Sequence, residues 1–328
     1  MKVTELKKML DGKSDEILKK SITELYKLIP NSKKEYADSI LNDVISGNRK
    51  KVIKVDKGID FNTLSEEVNE FIENAYNDNY FMPNRVIPKN QRSKWRFLVK
   101  RYINELCKIS YDNEHYNDAV KLLVKLYDLM CYACYYHVFV SDDAFESIGV
   151  SQATFYQVIA ERVLANGYTE ENIASLIVYA SSGGLSRESL HEDQQMLLLS
   201  LLKTKEQQKL ALNIAKQILD QLKGREVQEK YEIHNYTYDR NVDEFCDFVL
   251  MCHLKLKEYD DGIKYYFENY EKHYEEITLY CALKIVDLFK NKNDVWLQYY
   301  EYGINEKKIE PRDSLVEKYK ELKKKLKH

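Results

Sequence analysis

The sequence predicts an all-α protein, built as an array of antiparallel helical hairpins. Only 10 glycines and 4 prolines occur among its 328 residues, about 4% together, where roughly 12% is average. Sandwiches, barrels and doubly wound folds need both residues at their many turns, so the composition disfavours these folds. Apolar residues also recur at helical spacing along most of the chain. The short segment Ile53–Val55 is a weak strand candidate, and no other alternating stretch of useful length occurs.

Composition and charge are those of an ordinary soluble globular protein. Hydrophobic residues make up 44% and charged residues 31% of the chain, which is too apolar for disorder. The net charge of -3 argues against a dedicated nucleic-acid-binding protein, since those are usually basic. The N-terminal sequence lacks the apolar core of a secretory signal, and charged residues interrupt the most apolar stretch, Leu122–Val140. We therefore expect a cytoplasmic protein with no membrane partner.

Residues 1–58 are predicted to form an N-terminal helical segment, in which an amphipathic charged helix at Met1–Leu10 is followed by two further helices. Ser14 is placed as the N-cap of the first of these two, before a face of apolar residues at helical spacing. Ser32 and Glu35 form a capping box for the second. The tract Asn48–Gly58 has no helical period, so we expect a connector and a domain boundary there.

Residues 59–235 predict a central region of helical hairpins. Ser151, Thr169 and Ser186 are the expected N-caps of three of its helices. The expected helices are, in order, Leu64–Tyr76, Trp95–Ile109, Glu114–Val140, Ser151–Gly167, Thr169–Gly183, Ser186–Leu202 and Lys205–Leu222.

Residues 236–328 predict a C-terminal region of five further helices. Apolar periodicity and the polar connections between the periodic stretches set their approximate bounds. The expected helices are Val242–Lys257, Asp260–Tyr274, Glu276–Phe289, Val295–Ile304 and Ser314–Lys327.

Two segments have the spacing of the second helix of a tetratricopeptide repeat. They are Tyr116–Val120, continued by leucines at helical spacing, and Tyr259–Ile263, continued by a tyrosine. Ala119 and Gly262 are the small residues at the position where two such helices approach closely. Over about 35 residues at each place the chain resembles the tetratricopeptide-like α-solenoid class. The resemblance implies an α/α superhelix of stacked hairpins, and the helical opening also resembles that of many bacterial helical proteins.

Cys131, Cys134 and His137 form the first candidate site. Thiols three residues apart share one side of a helix, so the two cysteines could ligate zinc or act in redox chemistry. A structural zinc site needs four ligands, however, and no second Cys-x-x-Cys pair occurs. The alternative is that all the cysteines are reduced, buried thiols, namely Cys107, Cys131, Cys134, Cys246, Cys252 and Cys281. We favour this alternative and expect no metal and no cofactor.

The segment Phe145–Tyr156 is the second candidate. It resembles the turn and recognition helix of helix-turn-helix repressors, with Gly149 in the turn and Ser151 opening the second helix. Phe145 stands where the first helix of that motif needs a small residue, and the expected second helix carries no Lys or Arg before Arg162. Attraction to phosphates provides most non-specific DNA affinity. We therefore expect a glycine turn and a serine-capped helix here rather than a DNA reader.

The stretch from Arg85 to Arg101 is the third candidate, because it carries seven cations and no acid. The cations are Arg85, Lys89, Arg92, Lys94, Arg96, Lys100 and Arg101. Four aromatic residues lie among or just before them, namely Tyr80, Phe81, Trp95 and Phe97. Such a surface suits an RNA backbone with stacked bases or an acidic protein segment. The alternative is a solvated helix start in which Trp95 and Phe97 belong to the core.

Tyrosine is the fourth candidate feature, because the chain contains 27 of them. Adjacent pairs that include Tyr265 and Tyr299 cannot both face the core of one helix, so some hydroxyls must reach solvent or a partner. Exposed tyrosines are typical of protein-binding surfaces. The alternative is that tyrosine fills the edges of the core.

Together these observations predict an α-helical repeat protein that binds another protein or peptide through a surface of stacked helix pairs. The expected partner-binding residues are Arg85, Lys89, Arg92, Trp95, Arg96, Lys100, Arg101, Tyr265 and Tyr299. The alternative is a nucleic-acid-associated regulator that uses the basic stretch, nucleic acid being a possible but not favoured partner. A second alternative is an enzyme with a dispersed site. No P-loop, dinucleotide fingerprint, nucleophile elbow or kinase signature occurs, so we expect no enzyme and no catalytic residues.

Overall fold

The computed structural model describes residues 3–29, 34, 37–38, 41, 60–225, 231, 242–271 and 274–325. Helices account for 73% of the chain, and no strand occurs in these described ranges. The prediction of an all-α protein is confirmed. None of the described helices is both long and apolar enough to cross a bilayer.

The chain divides into two compact units, residues 1–59 and residues 60–328. The first unit contains α1 (Val3–Leu10) and α2 (Asp15–Lys27). Ser14 occupies the predicted N-cap position of α2, although its side chain makes no capping hydrogen bond. The predicted Asn48–Gly58 connector, with its weak strand candidate, lies outside the described residues, as does most of the helix expected after Ser32.

The second unit holds fourteen helices in the part of the chain that the structure describes. They are α3 (Phe61–Tyr76), α4 (Lys89–Arg92), α5 (Trp95–Cys107), α6 (Tyr116–Tyr135), α7 (Ala144–Ile148), α8 (Gln152–Ala165), α9 (Glu170–Ser182), α10 (His191–Leu201), α11 (Lys205–Leu222), α12 (Val242–Leu256), α13 (Tyr259–Asn269), α14 (Glu275–Asp287), α15 (Asn293–Asn305) and α16 (Asp313–Lys325).

Helices of the second unit pack mainly against their neighbours along the chain. From α8 to α16 the helices pack against the next helix along the chain, except that α10 and α11 do not pack closely, and most also pack against the next but one, as α9 does with α11 and α12 does with α14. The largest fully buried side chains include Tyr127, Tyr156, Tyr266 and Trp296, so aromatic residues from several helices contribute to the core. The predicted boundary near residue 235 lies outside the described residues, and the helices on either side of it, α11 and α12, pack directly against each other.

The two small residues predicted at close helix approaches are both buried. Ala119 lies in the first turn of α6 and is fully buried. Gly262 lies in the first turn of α13, where an added Cβ atom would stand 2.9 Å from the Cβ of His253 and 3.1 Å from the hydroxyl of Tyr299. Helices α12, α13 and α15 therefore meet at this glycine with no room for a larger residue.

One predicted helix start is wrong. We expected Ser186 to cap the helix that becomes α10, but this helix begins at His191, and Leu190 occupies its N-cap position. The Ser186 hydroxyl instead donates a 2.6 Å hydrogen bond to Oδ2 of the buried Asp143 carboxylate. A charge-assisted bond to a buried carboxylate is stronger than a neutral capping bond, so the serine is held outside the helix.

Helix α6 ends earlier than its apolar pattern predicts. The expected end was Val140, but the helix stops at Tyr135, and Tyr136 is extended with φ -115° and ψ 145°. The chain after Tyr136 leaves the helix direction and buries Val138 and Phe139. Val140 is left 80% exposed. This early end creates one wall of the candidate site described next.

Candidate functional site

A pocket of about 350 Å³ lies where the loop after α3, the start of α5 and the segment after α6 meet. We call it the basic pocket. Its apolar part consists of Tyr80, Phe81, Trp95 and Val140, and its charged rim consists of Lys89, Arg92 and Arg96.

The floor of the basic pocket is a rigid aromatic cluster. Trp95 is only 3% exposed and stacks on Phe139, with ring centroids 4.0 Å apart and ring planes at 9°. Tyr80 packs against Phe139 at 5.8 Å, and Phe71 of α3 contacts both Tyr80 and Phe139. Because aromatic pairs at these distances add stability beyond buried area, α3, α5 and the end of α6 are locked together under the pocket.

The loop that forms the rim is ordered by one asparagine and one arginine. The Asn84 side chain accepts hydrogen bonds from the backbone N–H groups of Val86 and Ile87, both at 2.9 Å. Arg92 donates from Nε to the Ile87 carbonyl and from Nη2 to the Asn84 carbonyl, both at 3.0 Å. Arg92 therefore uses its guanidinium to hold the loop, which places Lys89 at the pocket edge.

Arg101, another of the predicted cations, forms an ion pair within the fold. Nη2 of Arg101 lies 2.5 Å from Oε2 of Glu67 on α3, and the guanidinium sits over the Tyr102 ring at 4.8 Å. Arg101 does not line the basic pocket. Its charge is compensated by the carboxylate, so it is not available to a partner in the way an unpaired cation is.

Five of the seven predicted cations are exposed and unpaired. Among the described residues, no acidic side chain lies within ion-pair distance of Arg85, Lys89, Lys94, Arg96 or Lys100. Lys89 and Arg96 line the pocket itself. Arg96 also stands over the Phe97 ring, 5.0 Å from its centroid. The basic stretch thus presents uncompensated positive charge at and around a concave apolar surface.

Several apolar side chains around the same opening are exposed to solvent. Phe81 and Val140 line the pocket and are both exposed, and Val86 and Met82 are exposed in the loop that forms its rim. Phe97, on α5, is 62% exposed. A single exposed apolar residue is ordinary, but an exposed group of them beside a concave surface is typical of an interaction site.

The two predicted tyrosines lie elsewhere in the fold. Tyr299 of α15 is fully buried and donates its hydroxyl to the Tyr259 carbonyl at 3.0 Å, and burial raises its pKa. Tyr265 of α13 is partly buried, with the Lys216 ammonium 4.4 Å from its ring centroid. Neither residue lines the basic pocket, so the structure does not bring them together with the basic stretch.

The structure separates the two cysteines of the first candidate: Cys131 is buried, whereas Cys134 is half-buried and lines a pocket of about 220 Å³ together with His137. Burial raises the pKa of Cys131 well above its ordinary value and raises the pKa of Cys134 to about 12. His137 is exposed and stacks on Phe81, with centroids 5.6 Å apart. In the ranges that the structure describes, no group of three or more His, Cys, Asp or Glu side chains is placed to hold a metal ion. Both thiols are therefore protonated at neutral pH.

The segment Phe145–Tyr156 has the predicted turn and N-cap. The helix that would contact DNA in a helix-turn-helix protein is packed into the core here. Gly149 adopts a φ of +64°, and the Ser151 hydroxyl accepts a hydrogen bond from the Thr154 N–H at 3.2 Å. Phe155 and Tyr156 are fully buried, since α8 packs against α6, α9 and α10. The apolar face of this helix belongs to the core, and its opening turn has no cation to meet a phosphate.

A larger open groove of about 750 Å³ runs along α6, α8 and α9. Both basic and acidic side chains line it, and its two lysines already have partners within the fold. Nζ of Lys121 lies 3.3 Å from Oδ1 of Asp118, and Nζ of Lys125 donates to Oδ1 of Asn69 at 3.3 Å. Glu171 adds an acid to the same lining. A lining of mixed charge favours neither an acidic nor a basic partner, so the basic pocket is the stronger candidate site.

Sequence reasoning missed the residues that the segment after α6 and helix α7 contribute to the site. Phe139, Val140 and Ser147 were expected within a long helix or beyond it, yet Phe139 supports the floor while Val140 and Ser147 line the pocket. Helix propensity gave no signal for the end of α6, because Val and Phe form helices about as readily as the Tyr, Cys and His residues before them.

No protein-family model matches the chain, and no curated protein or solved structure shows significant similarity to it. The function therefore has to be inferred from the geometry of the site.

Proposed function

We propose that the protein is a scaffold that binds another protein or peptide, and that the basic pocket is its binding site. One observation carries this proposal. A concave apolar cavity with a rigid aromatic floor opens among cations that have no acidic partner in the described part of the chain. Interfaces are anchored where a large side chain fills a preformed pocket and a polar rim surrounds it. The basic pocket has both parts.

We also propose that the second unit is a tetratricopeptide-like array of antiparallel helical hairpins. Two features support this architecture. Helices α6 and α13 begin at Tyr116 and Tyr259, the first residues of the two segments that have the repeat spacing, and Ala119 and Gly262 are buried in their first turns. Contacts from α8 onward are mainly between near neighbours along the chain. Such an array offers extended surfaces for partner binding.

The geometry favours insertion of a protein side chain over stacking of a nucleic-acid base. A base stacks on an aromatic ring whose face is open to solvent. Trp95 is only 3% exposed, and Phe139 covers one of its faces. The five unpaired cations would attract an RNA backbone as well, but the pocket floor offers no open ring for its bases.

Site-specific photocrosslinking tests the proposed function. Val140 lines the pocket and is 80% exposed, so p-benzoylphenylalanine at this position should capture a bound partner without disturbing the core. The matched control places the same group at Tyr274, which is 70% exposed and does not line the pocket. We expect discrete protein adducts from position 140 only, in cells that naturally make the protein. Absence of adducts at 140, or the same adducts from both positions, would contradict the proposal.

A further inference from the structure

We infer that the occupant of the basic pocket is an acidic peptide segment that inserts one large apolar side chain and keeps its carboxylates on the rim. This inference rests on the proposed function and specifies the partner of the same site.

The size and chemistry of the cavity select a single apolar anchor. A volume of about 350 Å³ is at the lower end of the range for ligand pockets, roughly 300–1,000 Å³. Trp95 and Tyr80 are buried in its floor, and Phe81 and Val140 stand exposed at its mouth. An aromatic or leucine side chain entering the pocket would remove its own apolar surface from water together with that of Phe81 and Val140.

The cations on the rim of the pocket favour a peptide that carries negative charge next to its apolar anchor residue. Lys89 and Arg96 line the pocket, and Arg85, Lys94 and Lys100 are exposed nearby in sequence, all without an acidic partner among the described residues. No Asp or Glu occurs between Arg85 and Arg101. A carboxylate beside the anchor would therefore meet positive potential and no competing acid, which raises the association rate and rejects basic segments.

The shape of the site argues for a peptide rather than an anionic membrane. Membrane-binding surfaces push apolar side chains outward into the lipid boundary. Here the largest apolar rings are recessed, since Trp95 and Tyr80 are buried at the bottom of the cavity. A lipid surface could touch only the mouth of the pocket, whereas one peptide side chain reaches its floor.

Fluorescence anisotropy with the full chain and three labelled peptides tests the inference. The first probe is Glu-Asp-Gly-Trp-Asp-Glu, the second has Ala in place of Trp, and the third keeps Trp but has Lys in place of every acid. We expect the first peptide to bind at least tenfold more tightly than either of the others. Its affinity should fall as NaCl is raised from 50 to about 300 mM, because the screening length shortens.

Charge-reversal variants locate the binding. Lys89→Glu with Arg96→Glu should weaken the first peptide at least tenfold, whereas Lys255→Glu with Lys264→Glu should not. The second pair makes the same change in net charge at exposed lysines of α12 and α13. Arg92 is left intact because it holds the rim loop. If the first variant does not fold, Val140→Glu provides the same repulsion at an exposed position and should also weaken binding at least tenfold.

The outcomes separate this inference from the proposed function. Equal affinity of the Trp and Ala peptides would overturn the anchor, and equal affinity of the acidic and basic peptides would overturn the charge selection. Tighter binding of labelled poly-uridine RNA, or of vesicles with 30% phosphatidylserine, would show that the site serves another class of partner. If no peptide binds while crosslinks at position 140 still form, the inference fails and the proposed function stands. If the crosslinks are also absent, both fail.

Discussion

Trp95 and Phe139 stack face to face, with centroids 4.0 Å apart and ring planes at 9°. The pair joins the start of α5 to the segment that follows α6, and both rings are buried. Val140 follows Phe139 directly in the chain and lines the pocket, so the stack fixes the position of this wall. The stack therefore links the stability of the second unit to the shape of the basic pocket.

Phe139→Ala should destabilise the protein by about 3–5 kcal/mol, the usual cost of removing a buried aromatic ring and leaving a cavity. Urea unfolding followed by circular dichroism measures this change. Phe97→Ala is the matched control, because Phe97 lies two residues from Trp95 but is 62% exposed. The control should change the free energy of unfolding by less than about 0.5 kcal/mol. Similar losses in the two variants would show that the stack is not a structural anchor.

The helices and several of their ends could be predicted because their causes are local. Apolar spacing places the faces of the helices, and Ser151 and Thr169 cap α8 and α9 with hydrogen bonds to N–H groups three residues away. Such signals lie within one turn of the chain. For the same reason the cluster of cations near Trp95 was visible in the sequence.

The remaining features could not be predicted because they depend on contacts between distant residues. Ser186 looks like an N-cap, yet its hydroxyl binds Asp143, which lies 43 positions earlier in the chain. The early end of α6 depends on Phe139 packing against Trp95 of α5. The ion pair between Arg101 of α5 and Glu67 of α3 also joins residues that are far apart in the sequence. A single sequence gives no direct information about such pairs, so the pocket itself was visible only in the fold.

Asp143→Asn should destabilise the protein by about 1–3 kcal/mol at pH 7, because buried donors lose a charged acceptor. The Asp143 carboxylate accepts hydrogen bonds from the N–H groups of Phe145, Glu146 and Arg187 and from the Ser186 hydroxyl. Burial alone would raise its pKa, but these hydrogen bonds outweigh burial and lower the pKa below its ordinary value.

The lowered pKa determines how this difference changes with pH. A carboxylate whose folded pKa is lower than its unfolded pKa stabilises the fold above the unfolded value, about 3.9, and loses that contribution as pH falls through the folded pKa. The gap between wild type and Asp143→Asn should therefore narrow below about pH 4. Asp142→Asn, at the exposed neighbouring residue, should show no such gap. A gap that stays constant down to pH 2 would contradict the hydrogen-bonded carboxylate.

The Cys134 thiol should react with iodoacetamide at least tenfold more slowly at pH 8 than a free cysteine does, since its smaller thiolate fraction outweighs the higher nucleophilicity of a thiolate of raised pKa. Burial raises its pKa to about 12, whereas an ordinary thiol has a pKa of about 8.5, and only the thiolate reacts. Mass spectrometry of the alkylated protein measures the rate, and the same reaction in 8 M urea, where the fold is lost, is the control. Rapid alkylation of the native protein would show that Cys134 is accessible and reopen a redox role for this residue.

Gly262→Ala should destabilise the protein although alanine is the better helix former by about 1 kcal/mol. The added methyl group would lie 2.9 Å from the Cβ of His253, an atom fixed by the backbone of α12. Overpacking of this kind costs about 1–3 kcal/mol. Lys264→Ala is the matched control, because Lys264 is exposed on the same helix and its replacement adds no atom. Thermal unfolding should therefore show a larger loss for Gly262→Ala, and a gain in stability would refute the close helix approach.

The most direct test of the basic pocket as the interaction site is quantitative capture of partners by three forms of the full chain. These are the wild type, Lys89→Glu with Arg96→Glu, and Lys255→Glu with Lys264→Glu. Each form is expressed at the natural level in its own cells, crosslinked briefly and analysed by quantitative mass spectrometry. We predict that the pocket variant loses, by at least tenfold, specific proteins that the wild type and the control variant retain equally. Identical sets of captured proteins from all three forms would contradict the assignment of the basic pocket as the binding site.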